Sequence, residues 1–301
     1  HEEGSFIGVV LAAALGVPHL YDMHSSLPQQ LTNFAFSRSR LLARLFAWAE
    51  RLGLRRSRVV IVICPHLEET VRAIHPAVPT VLIENSPGSG DTPTPGSGHR
   101  IRETLGLSPN VPLVLYTGTF EAYQGLDLLF AAAAHVARRR SDVRFVLAGG
   151  RPDQVERARA VVRASGAADA VLFAGQRPAE EIPQFLDAAD VLVSPRSTGT
   201  NTPLKIYQYL RSARPIVATR LLTHTQVLND EVAYLAEATP DAFGNAILDA
   251  LADPGRARLV GQQARHLAET KYSYEIYLNR TRQACAFLMA DGTPQIVGGV
   301  A

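Results

Sequence analysis

Short apolar runs rich in β-branched residues alternate with helical patterns along most of this 301-residue chain. The runs occupy residues 17–22, 58–63, 79–83, 112–118, 143–150, 170–175, 189–195 and 215–220. The helical patterns occupy residues 124–139, 152–165, 180–188, 203–213, 241–252 and 255–270. Continuous apolar runs are typical of strands buried on both faces of a parallel sheet. With helices between them, they predict a doubly wound α/β fold.

One segment, residues 85–100, interrupts the alternation. Its sequence, NSPGSGDTPTPGSGHR, has almost nothing to bury and is typical of a flexible linker. We therefore predict a partial domain over residues 1–84, a complete domain over residues 101–273, and a C-terminal helix and tail over residues 274–301. The sequence leaves open whether that helix joins the second domain or crosses back to the first.

Composition and motif content exclude several classes of protein. The 30 Lys and Arg nearly balance the 28 Asp and Glu, and no basic tract is interleaved with aromatics, so no nucleic-acid partner is expected. The two cysteines, Cys64 and Cys285, are interpreted as apolar filler in a reducing compartment, and a cytoplasmic location is predicted. The sequence has no GxGxxG, P-loop, GxSxG or Asp-x-Asp motif and no metal-ligand spacing, so neither a metal nor another cofactor is expected.

Two polar turns follow strands of the predicted second domain, where open parallel sheets bind ligands. The first, YTGTFEAYQG, contains Gly118, which lets the backbone approach a ligand closely. The second, SPRSTGTNTP, leads into a helix predicted to have Thr202 as N-cap and Pro203 as its first residue.

Lys205, one of only two lysines in the chain, lies in the first turn of that helix. Its ammonium, the first-turn N–H groups and the helix dipole together suit a phosphate or diphosphate. Gln208 is on the same face, one turn further on. The alternative is an ordinary helix start with a solvated lysine.

Several motifs occur in a specific order along most of the chain. They are HEEG…LGVPHLYDMHSSLPQQL, SRVVIVICPHLEETV, YTGTFEAYQGLDLLFAA, VLFAGQRPAEEIPQFLDAADVLVSPR, TNTPLKIYQYL, PIVAT and YSYEIY. Together they resemble the retaining glycosyltransferases of family four. The resemblance implies a GT-B fold of two Rossmann-like parallel-sheet domains. It also implies metal-independent transfer, with retention, from a nucleotide sugar to a hydroxyl of a glycan, a lipid-linked acceptor or a small molecule.

Some of the charged positions of that family are changed here. Its pair of glutamates falls on Thr200 and Gln208, and its diphosphate-binding Arg and Lys fall on Thr119 and Gln124. Gln208 can still exchange hydrogen bonds but carries no charge. The changes leave two other hypotheses open, a nucleotide-sugar-binding module without turnover and a GT-B nucleotide-sugar epimerase.

The resemblance then makes Lys205 the main cation at the donor diphosphate, with Arg196 as a helper. Gly118, Asn201 and Thr202 complete the predicted donor-binding set. The leaving diphosphate would be stabilised by Lys205, the helix terminus and the N–H groups of Gly118 and Thr119.

His24, in the first domain, matches a loop histidine that the family places at the sugar. It is predicted to be catalytic together with Lys205, and Asp22 is positioned to orient its imidazole. The chain opens inside an apolar helical pattern, and its first methionine is Met23, so the first domain is expected to lack N-terminal strands. The chain is then expected to bind a donor but to transfer poorly.

An Arg-rich helical segment, residues 38–58, carries Leu, Phe and Trp side chains. One interpretation is docking on an anionic membrane surface, peripheral at its inner face. The other is an amphipathic helix that packs on the sheet and leaves its arginines in water.

Overall fold

The computed structural model describes residues 2–28, 39–84 and 92–290. The chain divides into two compact units, one made of His1–Ser86 with Tyr274–Ala301 and the other of Pro87–Ser273. The strands are β1 (Leu20–Met23), β2 (Val59–Val62), β3 (Thr80–Leu82), β4 (Leu113–Thr117), β5 (Arg144–Ala148), β6 (Val171–Gly175), β7 (Val191–Ser194), β8 (Ile216–Thr219) and β9 (Tyr234–Ala236). The helices are α1 (Glu2–Leu15), α2 (Arg40–Arg56), α3 (Pro65–Ile74), α4 (His99–Thr104), α5 (Leu126–Ala137), α6 (Pro152–Ala164), α7 (Ile182–Ala188), α8 (Leu204–Arg211), α9 (Leu222–Thr225), α10 (Pro240–Ala252), α11 (Pro254–Lys271) and α12 (Tyr274–Met289).

The second unit contains a six-stranded parallel sheet with strand order β6-β5-β4-β7-β8-β9. All five residues of β4 are buried, and they alternate between two cores. Val114 and Tyr116 belong to one core, whereas Leu113 and Leu115 belong to the other. The predicted doubly wound parallel fold is therefore confirmed, because both faces of the central strand are covered.

The first unit contains a three-stranded parallel sheet with order β1-β2-β3. Helix α12 packs on β2 and β3, where Ala284 joins Val59 and Val81 in one buried cluster. Arg280 of this helix pairs with the buried Glu84 at 2.6 Å between Nη1 and Oε2. The C-terminal helix therefore belongs to the first unit, a choice that the sequence left open.

Three details differ from the sequence predictions. Strand β9 and the short helix α9 were not predicted, because three and four residues are too few to show a period. Helix α4 begins at His99, inside the predicted linker, whose residues 85–91 lie outside the described part of the chain.

The predicted cap of helix α8 is also wrong. Pro203 has an extended ψ of 135° and is the N-cap, so the helix begins at Leu204. Thr202 therefore lies one residue too early to cap the helix, and its side chain is buried. Among the described residues, no helix is long and apolar enough to cross a membrane.

Candidate functional site

The two polar turns meet where the strand order of the large sheet reverses, between β4 and β7. The chain leaves these neighbouring strands toward opposite sides of the sheet, which opens a crevice at their carboxyl ends. A cavity of about 620 Å³ lies there, within the size range of small-molecule sites. We call it the switch-point cavity. Its walls come from the turn after β4, from the loop of residues 195–203 after β7, from the start of α8, and from the segments that follow β5 and β6.

Seven of the predicted donor-site residues line this cavity. They are Gly118, Thr119, Gln124, Arg196, Thr202, Lys205 and Gln208. Thr200 and Asn201 do not line it, although they lie in the same loop. His24 lies in the first unit, directly after β1.

Lys205 is buried and points along the end of β4 rather than into solvent. Its Nζ donates to the carbonyl oxygen of Thr117 at 3.1 Å and lies 3.8 Å from the ring centroid of Tyr116. Such a cation–π contact and a single carbonyl acceptor replace only part of the lost hydration. The solvated lysine of the alternative interpretation is therefore excluded for this structure, in which Lys205 is only 9% exposed.

The tyrosines around Lys205 fix the end of β4. The Tyr209 hydroxyl accepts from the N–H of Thr117 at 3.0 Å, so α8 holds both polar groups of the Thr117 backbone. The Tyr116 hydroxyl donates to the carbonyl oxygen of Thr119 at 2.7 Å. These aromatic residues were missed by sequence analysis, because buried tyrosines have no local signature that separates support from packing.

The glycines of the first turn are required by its geometry. Gly118 has φ of 138°, which L side chains rarely adopt, and an added Cβ would lie 3.4 Å from Lys205 Nζ. Gly125 has φ of 72°, and a Cβ there would collide with the carbonyl of Pro195 in the loop after β7. The prediction that the Gly118 N–H stabilises the leaving diphosphate is wrong. This N–H donates to Ala148 O at 3.0 Å and is not directed at a ligand.

Arg196 is the second cation of the cavity and is held mainly by its own loop. Its Nη1 donates to Asn201 O at 2.5 Å and to Thr223 Oγ1 at 2.8 Å, and its guanidinium lies over the Tyr123 ring. Arg177 also lines the cavity, but its Nη1 lies 3.8 Å from Glu181 Oε2, so this third cation has an acidic partner outside the lining.

The electrostatics of the cavity are one-sided. Its lining includes three basic side chains and no Asp or Glu, and no described carboxylate pairs with Lys205 or Arg196. Burial, and then the nearby charge of Arg196, lower the pKa of Lys205 well below its ordinary value. Burial also lowers the pKa of Arg196. The unpaired positive charges therefore favour an anion in this cavity.

Unsatisfied polar atoms concentrate in the same residues. Among the described residues, Arg196 Nε, Gln124 Oε1 and Thr202 Oγ1 are buried without a hydrogen-bond partner. Native proteins keep few such atoms, and each calls for a reason. Three at one cavity indicate a site whose hydrogen bonding is completed by a ligand.

His24 has a different environment in the first unit. Its Nε2 lies 3.1 Å from Asp22 Oδ2, and the two side chains are 50% and 55% exposed. The loop that follows is anchored by the buried Glu50, which accepts from the Leu27 N–H at 2.8 Å. His24 is thus an accessible imidazole paired with a carboxylate.

Two family models match the chain. A model described as glycosyl transferases group 1 matches residues 111–253, and a model described as a glycosyl transferase 4-like domain matches residues 1–86. The first contains the switch-point cavity and the second contains His24. These matches indicate a glycosyltransferase.

Similar proteins agree with this. This chain is 28% identical over 286 residues to alpha-D-kanosaminyltransferase of Streptomyces kanamyceticus. The match covers 91% of this chain and 72% of that protein. This chain is also 31% identical over 218 residues to the GDP-mannose-dependent alpha-(1-6)-phosphatidylinositol monomannoside mannosyltransferase of Mycolicibacterium smegmatis, covering 68% and 55%. The chain therefore spans only part of the length of these relatives.

The fold of the glycosyltransferase is similar to a solved structure, Anabaena Alr3699/HepE in complex with UDP. The TM-score is 0.81 at 17% identity, over 96% of this chain and 76% of that one. The two parallel α/β sheets thus match GT-B glycosyltransferase structures.

Proposed function

We propose that this glycosyltransferase binds a nucleotide sugar in the switch-point cavity and transfers the sugar, with retention and without a metal, to an acceptor hydroxyl. The observation that carries the proposal is the pair of basic side chains, Lys205 and Arg196, that face a cavity with no lining carboxylate and have no described acidic partner. A sugar donor carries a diphosphate, which is the anion that these charges suit. UDP in the structurally similar Alr3699/HepE supports the same ligand class.

The catalytic contribution of the cavity is stabilisation of the leaving diphosphate. Its negative charge increases as the bond to the sugar breaks, and fixed positive groups lower the barrier. Lys205 Nζ and the first N–H groups of α8 supply this charge without a divalent ion. Metal independence is proposed on this ground, and residues 101–273 form the donor-binding part of the chain.

The remaining steps are assigned by similarity. In the group-1 glycosyltransferases that this chain resembles, the acceptor hydroxyl attacks on the face that the diphosphate leaves, which gives retention. We assign His24, oriented by Asp22, a hydrogen bond to the transferred sugar. Thr119, Gln124 and Gln208 would supply neutral hydrogen bonds to the donor where the resembling family has charged groups.

Helix α2 is the surface that we propose for a lipid-linked acceptor at the inner face of the membrane. Leu41, Leu45 and Trp48 are 79%, 53% and 55% exposed. Glu50, the acidic residue of this helix, is buried. The arginines of the helix form no ion pair within the described residues. Apolar side chains beside unpaired arginines suit anionic lipid. Co-sedimentation with phosphatidylglycerol vesicles, but not with phosphatidylcholine vesicles, is the expected result.

A panel of UDP-, GDP- and TDP-sugars tests the proposed reaction. Release of nucleoside diphosphate together with a glycosylated product, its anomeric configuration assigned by NMR, supports the transferase. Binding without release supports the module, which the loss of both carboxylates at Thr200 and Gln208 favours. A changed sugar without release supports the epimerase. Chelating metal ions with EDTA is expected to leave the rate unchanged, and a rate restored only by Mg²⁺ or Mn²⁺ would contradict metal independence.

A further inference from the structure

The segment of residues 219–226 contains the last residue of β8 and the whole of α9, and three of its side chains form hydrogen bonds with the 195–203 loop. Thr223 is fully buried and makes the central contact. Its Oγ1 donates to Asn201 O at 2.6 Å and accepts from Arg196 Nη1 at 2.8 Å. Because Arg196 Nη1 also donates to Asn201 O, the three groups form a closed triangle that fixes the guanidinium.

Two other side chains of the segment hold the loop backbone on either side of this triangle. Thr219 Oγ1 donates to Arg196 O at 2.7 Å. Gln226 Nε2 donates to Thr200 O at 2.6 Å. The carbonyl groups of Arg196, Thr200 and Asn201 are therefore all bound by this segment. This explains why Thr200 and Asn201 belong to the loop without lining the cavity.

His224 completes the contact at the end of β7. Its Nδ1 lies 2.9 Å from Thr219 O, which can only accept, so Nδ1 carries the proton and Nε2 accepts from the Ser194 hydroxyl at 2.8 Å. Burial, with the nearby charges of Lys205 and Arg196, lowers its pKa to about 3. His224 is therefore a neutral support and adds no charge to the cavity.

The middle of the loop buries little apolar surface of its own. Ser197 and Thr198 are exposed, and Gly199 has φ of 111°. Polar and glycine residues bury little apolar surface, so the loop depends on hydrogen bonds for its conformation.

We propose that Thr219, Thr223 and Gln226 are positioning residues that hold the 195–203 loop and so direct Arg196 at the donor diphosphate. This inference rests on the proposed function for the identity of the anion, but the holding of the loop does not depend on it. Thr223 acts through Arg196 and does not itself line the cavity. We call the three residues the loop clamp.

The test compares Thr223→Val, Thr223→Ser and Thr225→Val in the full chain. Valine keeps the shape of Thr223 but removes both hydrogen bonds, and serine restores the hydroxyl. Thr225 is the matched control, because it lies on the same helical turn and is exposed. Hydrogen exchange of residues 195–203 is measured without ligand, and UDP and GDP affinities are measured by calorimetry.

We expect Thr223→Val to speed exchange of the loop and to weaken nucleoside diphosphate binding about tenfold, the effect of losing one hydrogen bond to a charged group. Thr223→Ser should restore both, and Thr225→Val should match the wild type. Unchanged loop exchange in Thr223→Val would overturn the clamp, and so would faster exchange with undiminished affinity.

Two further results distinguish a failure of the loop clamp from misfolding of the variant and from a failure of the proposed function. If Thr223→Val does not fold, Gln226→Leu, which removes the bond to Thr200 O, is expected to show the same two effects at smaller size. Unchanged exchange in that variant would also overturn the clamp. Wild-type chain that binds neither UDP nor GDP would overturn the proposed function, while exchange of the loop would still decide whether the clamp exists.

Discussion

The two units place polar side chains at the carboxyl ends of parallel strands in different ways. In the second unit, Lys205 is 9% exposed and its ammonium is fixed by Thr117 and Tyr116. In the first unit, His24 is half exposed and pairs with the exposed carboxylate of Asp22. Buried fixed charge favours strong binding of one ligand class, because little reorganisation is needed on binding. An exposed imidazole is suited to a contact that forms and breaks during the reaction.

The largest expected effect concerns the buried cation. Lys205→Ala should weaken donor binding about 100-fold, in the range for removing one partner of a buried charge pair. Lys271→Ala is the matched control, since it removes the other lysine of the chain at an exposed position. Calorimetry with the preferred nucleotide sugar measures the change. Equal affinities of the two variants would contradict a diphosphate role for Lys205.

The same lysine should reduce the stability of the ligand-free protein. Replacing a buried charge by an apolar side chain of similar length is often stabilising, so Lys205→Met should raise the free energy of unfolding by about 1 kcal/mol. Urea unfolding without ligand measures it. A marked loss of stability would show that Lys205 holds the fold rather than the donor.

Donor affinity should also depend on pH in a defined direction. The pKa of Lys205 is lowered in the empty site by burial and Arg196, and a bound diphosphate favours the charged ammonium. Binding therefore takes up a proton, and affinity falls as pH rises above the empty-site pKa, by at most about tenfold per pH unit.

The groups that face Lys205 do not obscure this effect. Burial lowers the pKa of His224 to about 3 and raises that of Tyr209 to about 12, and burial also raises the pKa of Tyr116. Calorimetry of an intact nucleotide sugar in HEPES and in Tris reports the proton uptake. Identical binding enthalpies after correction for buffer ionisation, with no pH dependence, would exclude the coupling.

The smallest effect is expected in the first unit. His24→Ala should lower kcat about tenfold, as for one lost hydrogen bond to the reacting sugar, and should leave the nucleoside diphosphate Kd unchanged. Asp22→Asn should have a weaker effect on kcat, because it only loosens the orientation of His24. A Kd that changes as much as kcat would remove the contrast between the two units.

The sheets of this protein are more predictable from its sequence than the details of its site. Eight of the nine strands in the described part of the chain followed from apolar runs, since burial on both faces leaves a local pattern. Seven site residues came from two turns and the helix after the second turn, which the parallel topology brings together. The predicted cap at Thr202 was wrong, because Pro203 keeps an extended ψ of 135° and takes the N-cap position itself.

The loop clamp and the tyrosines around Lys205 could not be predicted from local sequence patterns. Tyr116 and Tyr209 have the composition of ordinary core residues, and Thr223 lies 27 residues from the guanidinium that it holds. The sequence alone determined the parallel α/β architecture, the two polar turns and the scarcity of lysine, because these depend on composition and local period. Tertiary structure decided that Lys205 is buried without a carboxylate and that residues 219–226 hold the 195–203 loop. Burial and long-range hydrogen bonding arise only when distant segments pack together, so no local pattern could have revealed them.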